Sequence, residues 1–88
     1  MKDLLARLTA AENEMDEAEQ AQDAAEESGD YEKAAEYEVA ADSLYEKVFQ
    51  LTEEGVRRIA RITNGQISEP MARTMLRTKR AELERIFG

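Results

Sequence analysis

The sequence predicts an all-α fold. It reads as an antiparallel helical hairpin over about residues 3–27 and 31–63, with a third helix over about 69–87, in a coiled-coil-like three-helix bundle. Three observations predict it. The 88 residues hold one Pro and four Gly, and Ala, Glu, Leu, Lys and Arg dominate, which favours long helices. Two apolar runs repeat in alternating steps of four and three, the spacing of a helical seam. Turn-forming residues fall between those runs and after them.

The first run is Leu4, Leu8, Ala11, Met15, Ala18, Gln22 and Ala25, with one polar member. Ser28-Gly29-Asp30 follows. Gly29 suits the left-handed position that ends a helix, and Asp30 suits the N-cap of the next. The second run is Ala34, Tyr37, Ala41, Leu44, Val48, Leu51 and Gly55. The two runs mirror each other. Ala25 with Ala34, Gln22 with Tyr37, Ala18 with Ala41, Met15 with Leu44, Ala11 with Val48, Leu8 with Leu51 and Leu4 with Gly55 each sum to 59. A hairpin turning at Gly29 places each pair in one layer. Leu5, Tyr45 and Phe49 lie beside the seam and are expected to widen its apolar face.

Past Leu51 the repeat slips by one residue and continues at Gly55, Ile59 and Ile62. Gly55 is expected to mark a kink or a close helix approach, or more plainly to sit beneath a bulky neighbour from the first helix. Asn64-Gly65 is a helix stop, and Ser68-Glu69-Pro70 is a helix start. The inward set of the third helix is Ala72, Met75, Leu76, Leu83, Ile86 and Phe87, with the Lys79 stem filling the gap. A third helix folded back from Gln66 covers only the base of the hairpin. The tip, roughly 18–41, is left with Ala–Ala and Gln–Tyr layers that bury little apolar area. The whole chain is expected to be a single domain, 1–88.

Residues 29–41, Gly-Asp-Tyr-Glu-Lys-Ala-Ala-Glu-Tyr-Glu-Val-Ala-Ala, resemble the second helix of a tetratricopeptide or MIT-type unit. The preceding helix departs from that pattern. It offers Ala18, Ala21 and Gln22 where those families place large aromatic and Leu-Gly residues, and no second 34-residue repeat follows. What the resemblance implies is an Ala-packed helical hairpin, without membership of either family.

Charge divides by position. Residues 1–46 hold fifteen acids against Lys2, Arg7 and Lys33, and residues 47–88 hold nine cations against five acids. The two net charges, −12 and +4, make the total of −8. Such a division speaks of partners more than of fold. Glu19, Asp23, Glu26 and Glu27 crowd the tip, with Tyr31 and Tyr37 as candidate aromatic anchors for a basic protein surface. A solvated face that keeps a small protein soluble is the plainer account of the same acids. Arg73, Arg77 and Arg80 fall at i, i+4 and i+7 on one face of the third helix. They are candidates for a nucleic-acid contact, or for pairing with Glu53, Glu54, Glu69 and the acids of the first helix.

The chain has no Cys and no His. That excludes disulfides, thiolate zinc sites, Cys nucleophiles, Ser–His pairs and His-based metal centres. No EF-hand pattern or Glu-x-x-His motif occurs, so no metal, cofactor or catalytic residues are expected. No apolar run approaches a membrane span, and a cytoplasmic location is expected. The expected function is a non-enzymatic protein–protein interaction module, an adaptor, inhibitor or assembly factor that self-associates, most simply as a dimer. The alternative is a nucleic-acid-linked role. Either the basic third helix binds DNA or RNA, or the acidic tip mimics nucleic acid to occupy a DNA-binding protein.

Overall fold

The computed structural model describes residues 1–87. The fold is all-α, with α1 at Lys2–Glu27, α2 at Tyr31–Ile62, α3 at Glu69–Thr78 and α4 at Arg80–Phe87. Among the described residues there is no strand. The expected hairpin arms agree with α1 and α2 to within a residue at each end.

The turns form as their residues dictate. Gly29 takes φ +80°, its N–H donates to the Glu26 carbonyl at 3.1 Å, and the Asp30 N–H reaches back to the Ala25 carbonyl at 2.9 Å. Asp30 then caps α2, accepting from the Lys33 N–H through Oδ1 at 3.2 Å. At the far end of α2, Asn64 and Gly65 both take positive φ, and the Gly65 N–H donates to the Ala60 carbonyl at 2.8 Å. Ser68 caps α3, accepting from the Met71 N–H at 3.4 Å, with Pro70 in the first turn.

The chain divides into two compact units. One comprises Met1–Leu8 and Phe49–Gly88, and its core is made of large side chains. Leu4, Leu5, Leu8, Leu51, Val56, Ile59, Ala72, Leu76 and Leu83 are buried there, with Met1, Ile67, Met75 and Phe87 packed against the cluster. Gly55 lies in a tight place. A Cβ on it would meet Leu76 Cδ1 at 2.8 Å and Leu4 Cδ2 at 3.0 Å. Of the expected roles for Gly55, the structure shows a seat beneath bulky neighbours, Leu4 of the first helix as expected and also Leu76 of α3, and α2 runs unbroken through it.

The other unit, Thr9–Val48, is the two-helix hairpin. Its buried residues are Ala11, Ala25, Ala34 and Ala41, and no larger side chain in it is buried. The remaining seam members, Met15, Ala18, Gln22, Tyr37, Leu44 and Val48, are half-buried. Seam and burial therefore coincide along this unit.

Several expectations need correction. The third helix is two helices, because Lys79 leaves helical geometry at φ −133°, ψ 42°. Positions 79 and 80 fall between the buried Leu76 and Leu83, and Arg80 is half-buried there. Lys79 itself is exposed, and its stem fills no gap. Arg80 Nε donates to the Leu76 carbonyl at 2.6 Å, an acceptor normally taken by a backbone N–H. The Thr74 and Thr78 hydroxyls donate to the carbonyls four residues earlier, which also favours bending. Past the break Leu83 is buried but Ile86 is 56% exposed. Ile62 is exposed as well, since the neighbouring turn buries Val56 and Ile59 instead. Leu5 does widen the apolar face, whereas Tyr45 and Phe49 are exposed.

Candidate functional site

On α1, Glu19, Asp23, Glu26 and Glu27 are all exposed and lie along one side of the helix, at i, i+4, i+7 and i+8. Glu26 accepts a hydrogen bond from Gln22 Nε2 at 3.3 Å. The other three make no hydrogen bond or ion pair among the described residues. Tyr31 stands at the start of α2 and is 72% exposed. Tyr37 is different, half-buried in the seam. It helps to fill the layer expected opposite Gln22 and does not stand out as a free anchor.

The unit boundaries sharpen the charge division. Thr9–Val48 holds fourteen acids against Lys33 and Lys47, a net of −12. The other unit holds ten cations against six acids, a net of +4. The hairpin is thus the strongly acidic part and also the part without a large-residue core.

The three arginines of the candidate basic face have different surroundings. Arg73 grips Glu53 with two groups, Nε at 3.1 Å and Nη2 at 2.8 Å from Oε1, and Nη2 also lies 3.0 Å from Oε2. This forked, half-buried pair ties α3 to α2. Arg80 is held by the Leu76 carbonyl and belongs to a separate helix. Arg77 is exposed and its side chain has no partner among the described residues. Two of the three are therefore engaged in holding this unit together. Arg58 likewise pairs with Glu54 at 3.0 Å. The cations without a side-chain partner among the described residues include Arg57, Arg61, Arg77 and Lys79, all exposed.

Among the described residues, no group of three or more carboxylates is placed to hold a metal ion. No helix among them is long and apolar enough to cross a membrane. Comparison of the chain with protein-family models, with curated proteins and with solved structures gives no match. Sequence periodicity missed Val56, which is 2% exposed. The signal was present as an apolar residue beside Gly55, but its burial depends on a third helix lying on that flank of α2.

Proposed function

We propose that this chain is a non-enzymatic protein–protein interaction module that works through helix–helix contacts, with the acidic hairpin as its docking element. One observation carries the reading. A 40-residue hairpin with a net charge of −12 buries nothing larger than alanine. Apolar burial contributes roughly 25 cal/mol per Å², so such a core stabilises it weakly. Mutual repulsion of fourteen acids opposes folding further. A surface of opposite charge relieves both deficits at once.

A second copy of the chain offers such a surface. In an antiparallel dimer, the hairpin of one copy lies beside the basic unit of the other, where Arg57, Arg61, Arg77 and Lys79 are exposed. Tip-to-tip pairing would stack like charges. A standard interface buries roughly 800 Å² per partner, a modest part of the 6032 Å² that one chain exposes. The absence of Cys is in keeping with a cytoplasmic setting.

Sedimentation equilibrium tests self-association across a wide concentration range at low and high salt. The expected result is a dimer at low salt that dissociates as salt rises. A monomer at every concentration and salt would contradict it.

A further inference from the structure

We propose that α4 is an exchangeable arm: α3 and α4 straighten into one helix, and α4 docks through Leu83 in the basic unit of a second copy of the chain. The inference goes beyond the docking reading above, because it uses neither the hairpin nor its charge.

The other two turns are written into their residues. Gly29 and Asp30 make the first, and Asn64, Gly65 and Ser68 make the second. The elbow at Lys79 has no such signal. Arg77, Lys79, Arg80 and Ala81 are all strong helix formers, and residues 77–81 include neither Gly nor Pro. Lys79 stands directly before α4, where a capping residue would be Ser, Thr, Asp or Asn. Local preference at the elbow is therefore for one continuous helix over 69–87.

The backbone agrees. Two helical hydrogen bonds border the elbow, and both end on Lys79. Its N–H donates to the Met75 carbonyl at 2.8 Å, and its carbonyl accepts from the Leu83 N–H at 3.1 Å. In a continuous helix the Arg77 and Thr78 carbonyls would accept from the Ala81 and Glu82 N–H groups. Neither of those bonds is made, and the Leu76 carbonyl takes Arg80 Nε at 2.6 Å. Straightening restores the helical bonds that the elbow interrupts.

Packing holds the elbow bent. Leu83 is fully buried in one cluster with Leu5, Val56, Ile59, Ala72 and Leu76, and Phe87 packs against that cluster. These contacts do not specify which copy supplies α4. A second copy's α4 fills the same place, so exchange keeps the core and adds helical bonds at two elbows. Exchange of an identical element across a short hinge is a low-cost route to a dimer. The straight helix would set Leu83 about 10 Å beyond Leu76 on the same side, free to enter the other copy's cluster.

The test refolds the full-length chain from urea at about 1 mM and at about 1 µM, then examines both in high salt, where charge docking is screened. Size-exclusion chromatography is expected to find a dimer only in the concentrated sample. That dimer is expected to outlast dilution, because its return to monomer requires α4 to undock. In it, the Lys79 Cα chemical shift is expected to become helical. When isotope-labelled and unlabelled chains are refolded together, Leu83 methyls of one copy are expected to contact Val56 and Ile59 methyls of the other.

Two variants grade the elbow. Gly and Ala differ about fivefold in helix weight per residue, and a dimer has two elbows. Lys79→Ala is therefore expected to dimerise about 25-fold more strongly than Lys79→Gly, with circular dichroism showing both monomers folded. No dimer after concentrated refolding, a dimer in which Lys79 stays non-helical, or equal dimerisation of the two variants would overturn the exchange. Sedimentation of chain refolded dilute judges the salt-dependent docking separately, so either reading can fail alone.

Discussion

Gly55→Ala measures how closely the helices of the basic unit approach. At an unconstrained helix-interior site this change stabilises by about 1 kcal/mol, since Gly has the poorer helix propensity. Here the new methyl would lie 2.8 and 3.0 Å from the two δ-carbons of Leu76 and 3.0 Å from a δ-carbon of Leu4. Carbon atoms prefer a separation of about 3.5–4.0 Å, so each leucine must yield by roughly 0.5–1 Å. Both leucines are 0% exposed and have no path toward solvent. Overpacking of this kind costs about 1–3 kcal/mol, so the net change is a destabilisation of up to about 2 kcal/mol. Urea unfolding followed by circular dichroism reads it. Coupling to Leu76→Ala isolates the contact. Leu76→Ala alone is expected to cost about 2–5 kcal/mol, and about 1 kcal/mol less in the Gly55→Ala background, where the alanine fills part of the cavity. A stabilisation of about 1 kcal/mol by Gly55→Ala with no coupling would refute the close approach.

Two further substitutions probe the turn and the ion pair. Gly29→Ala meets no atom within 4 Å, so only its φ of +80° opposes the change. A loss of about 1 kcal/mol is expected, partly recovered by Gly29→Asn, and thermal unfolding checks it. Arg73→Ala is expected to cost about 1 kcal/mol and Arg73→Lys somewhat less, because a lysine keeps the charge but loses the fork to Glu53. Urea unfolding at low and high salt separates the two.

The hairpin was legible because its determinants are local or mirrored. Gly29 and Asp30 specify a turn by their own backbone and side-chain chemistry. The paired seams from Leu4 to Ala25 and from Ala34 to Gly55 specify register through period alone. Features set by a third helix were not legible in this way. Val56 is buried and Ile62 exposed because the side of α2 that is covered changes where α3 and α4 pack. The break comes at Lys79, beside the Arg80 guanidinium on the Leu76 carbonyl, and the high helix propensity of Arg77, Lys79 and Arg80 gives no sign of it. The acidic candidates were legible as exposed residues along one side of α1. The basic face was legible as composition, but Arg73 and Arg80 had partners that spacing along one helix does not reveal.

Native-state hydrogen exchange on the full chain tests the central claim most directly, that the acidic hairpin is underpacked until another surface covers it. In dilute solution, amides from Ala11 to Leu44 are expected to exchange well before those of Val56, Ile59 and Leu76, whose unit has the large-residue core. Raising protein concentration at low salt is expected to slow exchange in the hairpin selectively. Hairpin amides already protected as strongly as Ile59 and Leu76 at the lowest concentration, and unchanged by raising it, would contradict the claim.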